Sequence, residues 1–228
     1  ISIGKKKIGD GQPIFFIAEA GVNHNGDLKL GKKLIDRAVE AKVDAVKFQT
    51  FKAEELNTHD APKALYHIET TGSDNKQTWY DLLKSQEISY EMHAELISYC
   101  KEKKIMFLST PYSKESVDLL ENFNLPAYKI ASADINNLPF LEYVANKGKP
   151  IIISTGMSNM GEIELAKDIF LRAGLTDYVL LQCTSNYPTN LKESNLNVIN
   201  TLRKKMNCLV GYSDHTEGYI NPIAATAL

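Results

Sequence analysis

The sequence is poor in cysteine, with three, has a single tryptophan, and carries neither a large net charge (−2) nor any block of like charges. Each scarcity excludes something. Cys100, Cys183 and Cys208 are odd in number and widely spaced, so they make no zinc pattern and read as free thiols of a reducing compartment. A nearly neutral chain without basic runs offers no field for nucleic acid or an anionic membrane surface. No apolar stretch approaches the roughly 20 residues needed to span a bilayer. The lysines of "KKKIGDGQPIFFIAEAG" mimic a signal peptide, but the apolar run behind them is only about six residues and Glu19 interrupts it. The expected location is therefore cytoplasmic, with no nucleic-acid or membrane partner. Glycine-rich phosphate loops are also lacking: "GDGQPIFF" leads into a strand pattern, not a helix. "GYSDH" lacks the closing glycine of a serine-nucleophile elbow.

What is present is a 228-residue chain, 43% hydrophobic and 24% charged, able to bury a large core. Seven short apolar runs recur: "IFFIAEAG" at 14–21, "DAVKFQT" at 44–50, "IMFLSTP" at 105–111, "AYKIAS" at 127–132, "PIIISTG" at 150–156, "YVLLQCTS" at 178–185 and "CLVGYSDHT" at 208–216. They are continuous rather than alternating, as in strands buried on both faces. Amphipathic patterns lie between them. In "LKLGKKLIDRAVEAK", Leu30, Leu34, Ile35 and Ala38 form the predicted core face. "SYEMHAELISYCKEKK" is predicted to be capped by Ser89 and closed by basic residues that suit the helix dipole. Strand followed by helix, repeated, predicts a parallel sheet. The long polar stretch from Phe51 to Tyr90 breaks the spacing and is expected to be a functional lid.

Every run ends in chemically capable groups: Glu19; Lys47 and Gln49; Ser109 and Thr110; Lys129 and Ser132; Ser154 and Thr155; Thr184 and Ser185; Ser213, Asp214 and His215. An open doubly wound sheet gathers ligand groups near one switch point, whereas a barrel converges all strand ends on one mouth. The pattern predicts an α/β fold of the (β/α)8 TIM-barrel class, spanning residues 1–228. After "SDHT" only "EGYINPIAATAL" remains, so only seven of the eight strands are expected here, and the chain reads as cut short.

Lys47 and Lys129 have apolar neighbours, and a buried ammonium needs a partner. Each is open to three roles: ion pair with a core carboxylate, Schiff-base nucleophile, or clamp on an anion. The hydroxyls of Thr110, Ser132, Ser154, Ser185 and Ser213 favour the clamp, since lysines and hydroxyls together cradle phosphate and carboxylate oxygens. Any one of the serines could equally cap the following helix. Glu19 could pair with a lysine, accept a proton, bind a sugar hydroxyl or orient a water. His24 reads as a hydrogen-bonding loop residue, and His59, His67 and His93 as residues of polar contexts without chemistry. His215 is a single imidazole, too little to hold a divalent ion unaided. Asp214 either orients it or satisfies the backbone of the turn.

Taken together, "FIAEAGVNHNG", "AVKFQT", "LSTP", "YKIAS", "IISTGM", "CTSNYPT" and "GYSDHT" resemble the sialic acid synthase family, from about residue 13 onward. The resemblance implies condensation of phosphoenolpyruvate with an N-acetylated mannose-type sugar, giving a nine-carbon 2-keto acid and phosphate. It implies a divalent metal, manganese with magnesium or cobalt as alternatives, and a homodimer in the full-length protein. Carried over by motif, Lys47, Thr110, Lys129, Ser132, Ser154, Ser185 and Ser213 would hold phosphoenolpyruvate. Glu19, Gln49, Asp134 and Tyr187 would face the sugar or the attacking water. His215 becomes a metal ligand whose partner is a histidine of the eighth strand. Glu19, Lys47, Lys129 and His215 form the expected catalytic set. Asn75 is the expected ligand contact from the long loop, with Asp74 aligning about as well, and Asn186 is the alternative to Ser185. The family's small C-terminal antifreeze-like domain is not among these residues. Two other readings stay open: a Schiff-base aldolase acting on a keto acid, and a non-catalytic fragment of the synthase.

Overall fold

Continuous apolar runs become parallel strands, as the sequence predicts, but each strand is shorter than its run. The computed structural model describes residues 1–63, 68 and 77–228; Asn75, Asp74 and His67 lie outside the described residues. The chain opens on an antiparallel hairpin, β1 (Ser2–Ile3) and β2 (Lys6–Lys7). It divides into two compact units, residues 15–125 and residues 1–14 with 126–228.

The 15–125 unit holds a three-stranded parallel sheet in the order β3 (Ile17–Gly21), β4 (Ala45–Thr50), β5 (Met106–Pro111). The first run was expected to be extended from Ile14, yet β3 begins at Ile17. The Phe16 N–H is held by Asp44 Oδ2 at 2.8 Å, and the ladder starts one residue later, with Ile17 opposite Ala45. Helix α1 (Leu28–Glu40) is capped by Asp27, whose carboxylate accepts from Lys29 N at 2.6 Å. Its buried seam is Gly31, Ile35 and Ala38: Ile35 and Ala38 of the predicted face are borne out, while Leu30 is 37% exposed and Gly31 takes its place. A Cβ at Gly31 would lie 2.8 Å from Leu96 Cδ2, so the helix packs on its neighbour along the glycine.

The polar stretch after β4 includes α2 (Ala53–Leu56) and α3 (Trp79–Ser85). Glu87 joins these two described pieces, accepting from Ala53 N at 2.8 Å and pairing with Lys52 at 3.2 Å and Lys84 at 3.0 Å. Helix α4 (Tyr90–Lys103) carries the predicted Ser89 cap, accepting from Met92 N at 3.2 Å, and α5 (Lys114–Asn122) is capped by Ser113. His93 on α4 is fully buried, not in the polar context expected of it.

In the other unit the order is β6 (Tyr128–Ile130), β7 (Ile151–Ser154), β8 (Tyr178–Cys183), β9 (Leu209–Ser213), all parallel. Helices α6 (Leu138–Ala145), α7 (Met160–Arg172), α8 (Val198–Met206) and α9 (Ile220–Thr226) follow the strands in turn. Asn159 and Glu162 form a reciprocal capping box at the start of α7. Among the described residues no helix is long and apolar enough to cross a membrane.

Candidate active site

Side chains alternate across a strand, so register decides which groups can meet. In the 15–125 unit Glu19 is opposite Lys47, and Gln49 is opposite Thr110. These four therefore share one sheet face, while Phe48, Thr50 and Ser109 take the other. The shared face is half-open and the other is buried. Lys47, 12% exposed, forms an ion pair with Glu19, 49% exposed, and its ammonium donates to Thr110 Oγ1 at 3.4 Å. The ion-pair role considered for Lys47 is thus realised, with Glu19 as partner. Gly21, at φ +53°, leaves room beside both polar side chains: a Cβ there would meet Glu19 Oε1 at 3.2 Å and Gln49 Nε2 at 3.8 Å.

In the second unit Lys129 is opposite Ile152, Ser154 opposite Leu181, and Cys183 opposite Ser213. One face thus carries Lys129, Ser154, Cys183 and Ser213. The buried Lys129 donates to Ser154 Oγ and to the Ile130 carbonyl, both at 2.6 Å. Ser132 lies in the single helical turn Ser132–Asp134 that follows β6, and its Oγ accepts from Gly156 N at 3.0 Å. None of Ser132, Ser154, Ser185 or Ser213 caps a helix, so the capping alternative fails for all four. Asn186 is exposed and its amide reaches Glu193 Oε2 at 3.4 Å. Ser185 Oγ instead lies beside Gly156, which places Ser185, and not Asn186, with the other hydroxyls.

His215 Nδ1 lies 2.7 Å from the Thr184 carbonyl and 3.9 Å from Cys183 Sγ. A carbonyl only accepts, so Nδ1 carries a proton, and in the neutral ring Nε2 keeps a lone pair, as a metal ligand requires. Burial lowers the basicity of His215, but hydrogen bonds to Cys183 and the Thr184 carbonyl outweigh it and raise the pKa. Burial alone would raise the Cys183 thiol; hydrogen bonds from His215, Ser132 and Ser213 bring it below its ordinary value. The Tyr187 ring tilts over His215, centroids 4.1 Å apart. Asp214 does not orient His215: its Oδ1 accepts from Thr216 N at 3.0 Å, Thr216 Oγ1 at 2.9 Å and Tyr212 Oη at 2.9 Å. The turn reading of Asp214 holds. Among the described residues no group of three or more histidines, cysteines and carboxylates gathers, so they fit one ligand of a divalent ion, not a full set.

Asp134, half-buried, has its carboxyl pushed up to about 6 by burial, against the pull of a hydrogen bond from Asn137 and the charge of Lys129. Its Oδ2 is buried without a hydrogen-bond partner. Sequence reasoning passed over Gly156 and Cys183. The signal for both was their place in strand-end motifs, "STGM" and "CTS".

In each unit, parallel strands followed by helices and ending in polar groups place the chain in the α/β class. The comparisons narrow the class: the model of the NeuB family matches residues 34–228, and the chain belongs to that family. It is 46% identical over 214 residues to N,N'-diacetyllegionaminic acid synthase of Campylobacter jejuni, covering 93% of this chain and 64% of that one. It is 42% identical to the enzyme of the same name from Legionella pneumophila, over 99% of this chain and 64% of that one. The crystal structure of N-acetylneuraminic acid synthetase from Leptospira borgpetersenii serovar Hardjo-bovis, in complex with citrate, matches with a TM-score of 0.86 at 36% identity. That match covers 100% of this chain and 74% of the other. The likeness bears out the (β/α)8 barrel class. The chain spans a little under two thirds of the length of these curated relatives.

Proposed function

We propose that the protein condenses phosphoenolpyruvate with an N-acetylated mannose-type sugar, forming a nine-carbon 2-keto acid and releasing phosphate. The relatives' names support a sialic acid-type synthase, and the "diacetyllegionaminic" of two of them supports an acceptor with two acetamido groups. The observation that carries the reading is the cluster at the ends of β6 to β9. Lys129 is bonded to Ser154, Gly156 N–H to Ser132, Ser185 lies beside Gly156, and Ser213 lies on the Lys129 face. An ammonium and several hydroxyl donors suit a ligand that carries both a phosphate and a carboxylate.

In this reading the C2=C3 π pair of phosphoenolpyruvate forms a bond from C3 to the aldehyde carbon of the open-chain sugar, C2 becomes electron-deficient, and the aldehyde oxygen takes a proton from solvent. Water adds at C2 and gives its proton to Asp134, whose carboxyl, at about 6, is mostly ionised at neutral pH and basic enough to accept it. The tetrahedral carbon then collapses: the C2–O bond to phosphate breaks, the remaining C2 hydroxyl proton passes to the departing phosphate, and the ketone and phosphate result. Lys47 and Thr110 are assigned to the anionic substrate, and Glu19, Gln49 and Tyr187 to the sugar and water. A divalent ion, manganese with magnesium or cobalt as alternatives, would supply Lewis-acid polarisation of the aldehyde when bound. His215 Nε2 would be one of its ligands.

The test is phosphate release by the complete gene product with manganese, phosphoenolpyruvate, and singly or doubly N-acetylated mannose-type sugars. Release dependent on the sugar supports the reading. No release above background with any of these sugars overturns it.

A further inference from the structure

Gly156 sits where three strand ends meet. It follows β7 by two residues; its N–H reaches Ser132 beyond β6, and the space over its Cα is filled from beyond β8. It is absent from the glycines of positive φ, so its backbone conformation is open to any residue. What the missing side chain provides is room. A Cβ would lie 2.3 Å from Ser185 Oγ, 2.9 Å from Ser132 Oγ and 3.3 Å from the Cys183 carbonyl oxygen. The two nearest atoms are hydroxyls on rotatable side chains. A methyl group at 156 would therefore be accommodated by turning those hydroxyls away, with a shift of only a few tenths of an ångström at the backbone.

The hydrogen bond adds a second effect. A hydroxyl has one proton, and an oxygen already accepting from an N–H directs that proton elsewhere. Gly156 N occupies Ser132 Oγ just as Lys129 Nζ occupies Ser154 Oγ. Two adjacent strand ends thus use one device, in which a donor fixed by the protein sets the direction of a serine proton: that of Ser132 goes to the Cys183 sulfur, and Lys129 leaves that of Ser154 for a ligand. An oxyanion is the ligand such a pair recognises.

We infer that Gly156 is a positioning residue of the anion site, anchoring the Ser132 oxygen through its N–H and leaving Ser185 its place. This rests on the phosphoenolpyruvate reading for the identity of the anion, but its test does not. In Gly156→Ala the affinity for inorganic phosphate, measured by calorimetric titration, should fall about tenfold to a hundredfold, the range expected for losing one or two hydrogen bonds to a charged group. In the synthase assay the KM for phosphoenolpyruvate should rise by a similar factor, while the KM for the sugar stays within about twofold.

Ser185→Ala removes the nearest clashing atom. Adding Gly156→Ala to Ser185→Ala should then cost much less than adding it to the wild type, a non-additivity that a general loss of stability would not produce. The double variant also keeps the test open should Gly156→Ala alone fold poorly. Unchanged phosphate affinity in Gly156→Ala, equal cost in both backgrounds, or a wild type that binds no phosphate would each overturn the inference. A wild type that binds phosphate in a Gly156-dependent way but releases none from phosphoenolpyruvate would sink the proposed reaction and leave this inference standing.

Discussion

Acidification from about pH 7 to about pH 4 should cost the wild-type protein roughly 3 kcal/mol more stability than it costs a His93→Gln variant. His93 is 0% exposed. Its Nδ1 lies 2.9 Å from the Ser89 carbonyl, which can only accept, so Nδ1 carries the proton. Nε2 accepts from Thr50 Oγ1 at 2.8 Å, and Thr50 in turn accepts from Ser109 at 2.7 Å. Every group in this chain is satisfied with the ring neutral. Burial holds its pKa at about 4, against 6.5 for an ordinary histidine. The unfolded chain therefore binds the proton first, and the stability contributed by the neutral ring is complete above about 6.5 and lost as the pH falls to about 4. A separation of about 2.5 pH units, at 1.36 kcal/mol for each, gives about 3 kcal/mol. Typical domains have only about 5–15 kcal/mol in total. Glutamine can donate to Ser89 and accept from Thr50 but does not titrate. Apart from His24, whose charge also lowers the His93 pKa, the other titratable groups are common to both proteins. Urea unfolding of both proteins at a series of pH values reads it directly. Parallel stability–pH curves would show that His93 is not held neutral, and the reasoning would be wrong.

Lys129→Met should lower kcat/KM for phosphoenolpyruvate at least about a hundredfold in the phosphate-release assay, since a charge-assisted donor is lost from an anion site; a drop of less than about threefold counts against the assignment. Gly26→Ala should cost about 2–4 kcal/mol, because Gly26 lies at φ +72° and a Cβ would meet the Ser85 carbonyl oxygen at 2.6 Å. Gly11→Ala, at φ +73° with nothing within 4 Å, should cost only the strain, about 1–2 kcal/mol, and equal melting temperatures for the two variants would refute the steric argument. For Asp134→Asn, the acid limb of the kcat/KM profile near pH 6, where the wild-type base is lost by protonation, should disappear, together with about a hundredfold in rate. A limb retained in the variant would exonerate Asp134.

Strand faces were legible because period-two spacing puts Lys47 with Gln49 and separates both from Phe48, and the parallel ladder then adds Glu19 and Thr110. The same logic set Lys129, Ser154 and Ser213 on one face. The anchoring of α1 was not legible: Gly31 reads as a weak point in a helix, and only its neighbour Leu96 makes it the seam. His93 looked polar because its sequence neighbours are polar, yet its partner Thr50 is 43 residues away in the chain, and Thr50's own partner Ser109 is 59 residues from Thr50. Gly156 escaped for a related reason. A glycine that matters for the room it leaves carries no pattern of its own; its meaning lies in Ser132 and Ser185, which two other strands supply.

His93 and Asp134 press on stability in opposite directions over nearly the same pH window. Asp134 is raised from 3.8 to about 6 by burial, so the folded state binds its proton more readily than the unfolded chain does. Its ionisation therefore removes stability as the pH rises from about 4 to about 6, by about 3 kcal/mol at 1.36 kcal/mol for each pH unit. Lowering the pH restores that amount while His93 takes a similar amount away. The wild-type contributions of these two groups nearly cancel, and a flat stability curve would hide both. The substitutions separate them: His93→Gln removes the loss on the acid side, and Asp134→Asn should add stability at neutral pH. A buried carboxylate with an unpartnered oxygen weakens the fold, and a neutral amide removes the cost of burying its charge. That cost is intelligible if the carboxylate must accept a proton near neutral pH, because the burial that destabilises it also raises its basicity. Asp134→Asn should consequently be the more stable protein and the slower catalyst, and a variant that was slower but no more stable would break the link between the two.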